Sequence, residues 1–284
     1  MRGFDYFKPR SLNEVWELKE KIPDARFISG GTDLMVQIKN QELCPEALVS
    51  LRSIPELSGV EVGEVTRIGA LTTISDIIQH PSLRHKYPVL VEAAKSLGSV
   101  QIRNVATIGG NLCNCSPCAD MAIPLLVLEA KVRLKSAKTS REIPLNEFFL
   151  GPGESCLAPD EILTDILLES TQLNAKAIFL KKGRVKMDLA VVSVALLLET
   201  EGERCCKVRL AVGSVASVPL RLLKVEALLE GAVISKELVA QVQQLAADSI
   251  SPITDVRATK EYRRQIVSVL VRRAFEKVLG WNQA

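Results

Sequence analysis

An α+β protein of two domains is the fold class the sequence predicts, and three observations point to it. The chain of 284 residues exceeds what one ordinary hydrophobic core requires. Up to about residue 170, short apolar strands alternate with helical segments around two glycine turns. Beyond it, strand-rich apolar runs are followed by amphipathic helices, the pattern of a small sheet covered by helices.

Taken in order, Ser11-Leu12-Asn13-Glu14 has the capping-box pattern, with Ser11 able to accept from the Glu14 amide and Glu14 able to reach back. A helix is expected over residues 12–20. The segment ARFISGGTDLMVQIKN reads as a short strand around Arg26–Ile28, a tight Ser29-Gly30-Gly31-Thr32 turn and a helical Asp33–Lys39. ALVSL and TRIGALTT read as strands, SDIIQH and YPVLVEAAKSL as helices, the last amphipathic through Leu90, Ala93, Ala94 and Leu97. SVQIRNVATIGGNLCNCSPCADMAIP repeats the first unit: an apolar approach, a Gly109-Gly110-Asn111 turn, then a helix opening near Ser116 and Pro117. Proline suits a first helical turn because the N–H it lacks would have no partner there. AKVRLKS and REIPLNEFF suggest a strand and a short element, and GPGESCLAPDEILTDILLE a loop returning into a strand.

A domain boundary is expected near residue 170, dividing 1–170 (subdomains of about 1–55 and 56–170) from 171–284. In the second part, MDLAVVSVALLLE and CKVRLAVGSV read as strands joined in a hairpin through Glu201-Gly202. LRLLKVEALLEG and KELVAQVQQLAADSI read as helices, and Thr259–Leu279 as a last one, with Tyr262, Ile266, Leu270 and Ala274 four apart and Gly280 as its stop.

Composition excludes several functions. Lys plus Arg number 36 against 33 for Asp plus Glu, spread evenly, which disfavours nucleic acid as a partner. No run is apolar enough for a membrane helix and the start lacks an export signal, so a cytoplasmic protein is expected. Seven cysteines without such a signal are expected to be reduced, and adjacent Cys205 and Cys206 should point to opposite faces of a strand. His80 and His85 fall in neither HExxH spacing nor a GxSxG context, which disfavours zinc peptidase and hydrolase chemistry and leaves them as loop or helix-end residues.

The two glycine turns remain. A helix start leaves amide N–H groups unpaired, and a glycine turn before it lets backbone approach a phosphate closely. Two such turns could share one diphosphate. Neither is a GxGxxG or GxxxxGK[ST] motif, so a Rossmann site or a P-loop is not expected.

FISGGTDLMVQIK and QIRNVATIGGNLCNCSPCADMAIPLLVLEA resemble the two flavin-binding signatures of the FAD subunit of the xanthine dehydrogenase and carbon monoxide dehydrogenase family. FLKKGRVKMDLAVVSVA, LAVGSVASVPLRLLKVEALLEG and SPITDVRATKEYRRQIVSVLVRRA resemble that family's C-terminal domain, so the likeness covers almost the whole chain in family order. It implies a two-part FAD-binding domain of the vanillyl-alcohol-oxidase (PCMH) type followed by a smaller α+β domain. It also implies that Ser29, Gly30, Gly31, Thr32 and Asp33, flanked by Phe27, Ile28 and Leu34, wrap the FAD diphosphate. Thr107, Gly109, Gly110 and Asn111 would meet it from the other side, and Asn114 would add a side-chain hydrogen bond. Asp120 would accept from the adenosine ribose hydroxyls and Leu163 would pack on the flavin ring. Lys181 or its neighbour Lys182 would stand at the isoalloxazine edge, where a cation favours the reduced anionic flavin.

Cys113, Cys115 and Cys118 depart from the commoner family pattern. Three thiols fall one short of a Cys₄ site, which would need Cys44 or Cys156 as well, and the expectation is buried thiols lining the flavin pocket rather than an iron–sulfur cluster. The resemblance implies no catalytic acid or base in this chain. Its partners would be a large subunit with a molybdenum cofactor and a small subunit with [2Fe–2S] clusters, and NAD⁺ or another soluble acceptor would take the electrons. A stand-alone FAD-dependent reductase or oxidase, or a scaffold subunit that has lost its flavin, are the alternatives.

Overall fold

Ser11 starts the first helix as expected, its Oγ accepting from Glu14 N at 3.3 Å, but the Glu14 carboxylate accepts from Arg10 N at 2.8 Å. The reciprocal half of the capping box therefore closes one residue earlier than the pattern suggests. The structure is a computed structural model that describes residues 3–169 and 175–281. Its first layer comprises β1 (Asp5–Phe7), α1 (Leu12–Lys21), β2 (Arg26–Ile28), α2 (Leu34–Lys39) and β3 (Ala47–Ser50). β3 lies between β1 and β2, parallel to both, and the apolar stripe of α1 (Leu12, Val15, Trp16) packs in the core beside it.

The next stretch holds β4 (Val60–Glu61), β5 (Val65–Gly69), α3 (Ile74–Gln79), α4 (Pro81–Lys86), α5 (Pro88–Ser96), α6 (Val100–Arg103), α7 (Ile108–Cys113) and α8 (Ala122–Val127). After these come β6 (Lys131–Lys135), β7 (Ser140–Pro144), β8 (Phe149–Gly151), β9 (Glu154–Ser155) and β10 (Ile162–Glu169). An antiparallel sheet in the order β4-β5-β10-β6-β7 backs the helices. His80 ends α3 and also caps α4, its Nδ1 accepting from Leu83 N at 3.4 Å, so the helix-end reading of this histidine holds.

The helix expected to open at Ser116 and Pro117 does not form there. Gly109 and Gly110 lie within α7 itself, whose N-cap is Thr107, and the chain then leaves helical geometry at Cys115, which has φ +46°. Ser116 Oγ accepts from Cys118 N at 3.2 Å, a local turn that competes with helix, and α8 begins only at Ala122.

The boundary expected near residue 170 lies outside the described residues. Past it, β11 (Lys176–Lys182), β12 (Val192–Glu201), β13 (Arg204–Gly213) and β14 (Leu220–Arg221) form an antiparallel sheet in that order. The expected hairpin joins β12 to β13 through Gly202, at φ +59°. Helices α9 (Leu223–Leu229), α10 (Lys236–Asp248) and α11 (Lys260–Leu279) follow. Along β12, Val192, Val194, Leu196 and Leu198 face these helices, whereas Ala195 and Leu197 join the core of the first part, so this strand is buried on both sides. The sheet is thereby held against α5 and α8. Cys205 is buried and Cys206 exposed, as the strand alternation requires.

Thr259 caps α11 and Gly280 ends it at φ +74°. Its buried face runs through Arg263, Val267, Leu270, Val271, Ala274, Phe275 and Val278, while Tyr262 is exposed. A spacing of four overruns the 3.6-residue turn, so the expected Tyr262-Ile266-Leu270-Ala274 series starts off the buried face and drifts onto it. Buried Arg263 carries no signal in the local pattern: it donates to Val191 O at 2.7 Å, Ser214 O at 2.9 Å and the Asp255 carboxylate at 2.7 Å. Among the described residues no helix is long and apolar enough to cross a membrane.

Candidate functional site: two joined glycine turns and a buried ion pair

The first glycine turn leaves the sheet at the end of β2. Gly31 has φ +72°, a conformation glycine adopts without strain. Gly30 presses onto the segment before the second turn so tightly that a Cβ there would lie 2.3 Å from Val105 O and 2.9 Å from Ala106 Cα. Among the described residues the N–H groups of Gly30, Gly31, Thr32 and Asp33 meet no acceptor. The Thr32 hydroxyl lies 3.4 Å from Asp33 Oδ2.

The second turn touches the first. Thr107 Oγ1 donates to Ser29 Oγ at 3.2 Å and accepts from Gly110 N at 3.1 Å, and a Cβ on Gly110 would meet those two hydroxyls at 2.8 and 2.9 Å. Here the amides are already paired: Ile108 N with Thr72 O, Gly109 N with Ala70 O, Asn111 N with Thr107 O. Asn111 Oδ1 accepts from Met121 N at 3.2 Å, which fixes its side chain over the following loop. Sequence reading treats the two turns as equivalent, and the structure distinguishes them.

Asp120 and Lys181, expected at opposite ends of one cofactor, are brought together. Lys181 Nζ donates to Asp120 Oδ2 at 2.6 Å and to Ser96 O at 3.1 Å, with 8% and 5% of the lysine and aspartate side chains exposed. Lys182, the next residue on the strand, is exposed while Lys181 is turned inward, as the alternation of β11 requires. Desolvation pushes the Asp120 carboxyl up to about 6, opposed by the charge and hydrogen bond of Lys181. Among the described residues buried Asp120 Oδ1 has no hydrogen-bond partner, a position that a donor group of a ligand would satisfy. The ribose contact expected of Asp120 and the ring-edge contact expected of Lys181 thus fall on two side chains that are bonded to each other.

Leu163 is 3% exposed and packed in the core with Leu134 opposite it on β6, set behind the turns rather than at their surface. Ala70, on which Gly109 rests, donates its N–H to Thr164 O at 2.9 Å, so the residue after Leu163 on β10 ties the sheet to the second turn. Phe27 and Leu34 are partly buried on either side of the first turn, and Ile28 sits beneath it with its side chain 3.1 Å from a Cβ on Gly31. Asn114 ends α7 with its N–H on Gly110 O.

The three neighbouring cysteines diverge. Cys118 is buried and its Sγ accepts from Arg257 Nη1 at 2.8 Å. Cys113 reaches solvent but is hemmed in by protein, and desolvation, then the nearby Cys115 and Cys156, push it up to about 12. Buried Cys115 is likewise pushed up to about 12, by desolvation first. Among the described residues no group of three or more His, Cys, Asp and Glu is arranged to hold a metal ion.

Sequence reading misses the clamp on this loop. Ser214 N donates to Pro117 O at 2.8 Å and Arg257 holds Cys118, so residues 117–120 are fixed between the two parts of the chain by the β13 end and by Arg257, itself held by Asp255 at 2.6 Å. No local pattern marks Arg257, because its partner lies 139 residues away.

Comparison with known proteins gives this geometry its context. Residues 2–168 match the family described as FAD binding domain in molybdopterin dehydrogenase, and residues 177–278 match the CO dehydrogenase flavoprotein C-terminal domain. The glyceraldehyde dehydrogenase medium chain of Sulfolobus acidocaldarius is 32% identical, over 97% of this chain and 98% of its own. The nicotinate dehydrogenase FAD-subunit of Eubacterium barkeri is 29% identical, over 98% and 97%. Among solved structures, a carbon monoxide dehydrogenase from Hydrogenophaga pseudoflava superimposes with a TM-score of 0.95 at 30% identity, covering 98% of both chains. The residues present fit FAD: two glycine turns packed too closely to admit a Cβ, amides of the first turn with no acceptor among the described residues, and a buried carboxylate oxygen without a partner among them. The chain therefore belongs to the FAD-binding subunits of the molybdenum hydroxylases, with the two-part flavin domain and α+β C-terminal domain of that family.

Proposed function

We propose that this chain holds FAD between its two glycine turns and serves as the electron-transfer subunit of a multi-subunit molybdenum hydroxylase. In this reading it accepts electrons from [2Fe–2S] clusters of a small companion subunit, themselves supplied by a large subunit with the molybdenum cofactor. It passes them, in a xanthine dehydrogenase-like arrangement in the cytoplasm, to NAD⁺ or another soluble acceptor. The observation that carries the proposal is the Ser29–Thr107 contact, which sets the unpaired amides of the first turn beside the second. A diphosphate lying there would receive N–H donors from Gly30 to Asp33 and the Thr32 hydroxyl on one side, and the side chains of Asn111 and Asn114 on the other.

Asp120 and Lys181 would then meet the cofactor at a single place, Asp120 Oδ1 accepting from a hydroxyl or N–H of the bound molecule and Lys181 keeping the carboxylate ionised and aimed. Bound isoalloxazine supplies the redox chemistry, and the protein's work is to bind, orient and shield it. Relatives named for glyceraldehyde, nicotinate and carbon monoxide resemble this chain to similar degrees, which supports placing substrate choice in the companion that carries the molybdenum cofactor.

The test is an absorption spectrum of the purified chain with the cofactor identified after denaturation. Maxima near roughly 370 and 450 nm with about one FAD per chain are expected. A folded chain that stays colourless and takes up no added FAD would overturn the assignment. Copurification then separates a subunit, which brings two different companions, from a stand-alone flavin reductase, which brings none.

A further inference from the structure

We infer that Arg257 is a positioning residue of the cofactor site, setting the loop that carries Asp120 through its bond to Cys118; the inference rests on the flavin reading above. Cys118 lies just before Asp120 in the chain, and its buried Sγ accepts from Arg257 Nη1 at 2.8 Å. Arg257 is itself oriented by Asp255, whose Oδ2 accepts from its Nε at 3.0 Å and its Nη2 at 2.6 Å. The other Asp255 oxygen accepts from Arg263 Nη2 at 2.7 Å. Arg263 in turn donates to Ser214 O at 2.9 Å, and Ser214 N donates to Pro117 O at 2.8 Å. The contacts close a ring, in which Pro117 and Cys118 are held at once through backbone and through side chain. A branch of the same ring reaches the other half of the ion pair. Arg263 Nη1 donates to Val191 O at 2.7 Å, and Val191 N donates at 2.7 Å to Lys182 O, next to Lys181.

Cohesion between the two parts of the chain does not require this ring. Residues of β12 already pack into both cores, and burying a guanidinium costs more than burying an apolar side chain of similar volume. What the charged groups add is direction: a planar fork fixed by one carboxylate can aim its remaining nitrogen at one sulfur. Backbone geometry points the same way. Among the described residues four other than glycine have positive φ, and two of them, Cys115 at +46° and Ser214 at +65°, stand on either side of Pro117 and Cys118. Such conformations cost energy, persist where their surroundings over-determine them and gather at ligand sites. Ser214 is held in this way, since beyond its N–H and C=O its hydroxyl donates to Ala190 O at 3.0 Å. Asp120 is the residue that gains from a fixed loop: an oxygen without a partner among the described residues serves a ligand only if it is held where the ligand's donor arrives.

The experiment uses the full chain, freed of flavin and titrated with FAD. Cys118→Ala, which removes the acceptor, and Arg257→Gln, which removes the guanidinium, should each weaken FAD binding about tenfold. Cys118→Ser keeps an acceptor and should bind within about twofold of the wild type, and Cys118→Ala added to Arg257→Gln should weaken binding no further. A bond that served folding alone would lower the urea stability of the flavin-free variants and leave the affinity of their folded fraction unchanged. Wild-type affinity in folded Cys118→Ala and Arg257→Gln would therefore overturn the inference and leave the flavin reading standing. Where these variants do not fold, hydrogen exchange of the wild type decides, because coupling between two sites is reciprocal. FAD should slow exchange of the Ser214, Arg257 and Ala258 amides, which donate within the ring, more than that of buried Val242 in α10. Equal slowing overturns the inference. A wild-type chain that takes up no FAD overturns the flavin reading and the positioning role with it.

Discussion

Gly30 and Gly110 sit in turns that look alike in sequence, each a double glycine between an apolar approach and a short helix, yet their backbones are in opposite states. Around Gly30 the amides are unpaired, and the glycine is required because Val105 O lies where a Cβ would go. Around Gly110 the amides of Ile108 to Asn111 are all spent within the protein, and the glycine is required because the hydroxyls of Ser29 and Thr107 approach it. The first turn keeps its backbone donors free for the proposed diphosphate, whereas the second has spent its own within the protein and could offer only side chains. Two turns with one motif can therefore play different roles, and what decides between them is where each N–H finds its acceptor.

The sharpest way to break this comparison is at Gly30. Gly30→Ala forces a Cβ into backbone that cannot rotate away, with an expected loss of about 3 kcal/mol and of flavin together. Gly110→Ala meets only side-chain hydroxyls and should cost less than half of that. Denaturant melts of both apo variants check the order, and equal losses would refute the contrast.

Next in size is Lys181→Met. Removing the partner of a buried carboxylate is expected to cost about 2 kcal/mol at pH 8. Asp120 is already pushed up to about 6, and without Lys181 it rises further, so protonation neutralises the orphaned group as pH falls. The destabilisation should therefore shrink as pH falls from 8 toward about 6 and level off below it, and thermal melts of variant and wild type between pH 5 and 8 would show the gap closing toward acid. A gap that widens toward acid would show that Asp120 is not the group left behind.

Thr107→Val removes the α7 cap and the bond to Ser29, for about 1 kcal/mol of apo stability. Thr32→Val, its counterpart in the first turn, should leave the apo protein within about 0.5 kcal/mol and yet weaken retention of added FAD, because its hydroxyl does little structural bonding beyond Asp33. Flavin titration beside urea melts separates the two effects.

The smallest effect belongs to Glu129, far from the turns, which ties the two parts of the chain through Lys207, Arg209 and Arg221. Desolvation alone would raise it, but hydrogen bonds from Arg209 and Lys207 hold it down to about 2. Its contribution is present above about pH 4.5 and is lost as pH falls toward 2, so Glu129→Gln should differ from wild type at pH 7 and converge with it in acid. Melts across that range check it.

Strand and helix positions are largely legible because burial leaves a period in the sequence. Thr259 and Gly280 bracket the last helix, Gly202 marks the hairpin, and Arg26–Ile28 forms the strand before the first turn. The segment after Gly110 misleads because Pro117 looks like a helix opener, while Cys115, at positive φ, and the Ser116 turn end helical geometry there. Separation by sequence hides the rest: Arg263 and Arg257 reach partners 49 to 139 residues away, and no local spacing records such contacts.

By itself, the sequence determined the elements, the two glycine turns and the kinship that names FAD, because each of these rests on residues close together in the chain or on motifs kept in order. Only the tertiary structure decided which turn keeps its amides free, which lysine faces inward, and that Asp120 and Lys181 are bonded to each other. Those outcomes depend on which groups lose water together and which acceptor lies within about 3 Å of each donor, and such distances exist only once the chain has folded.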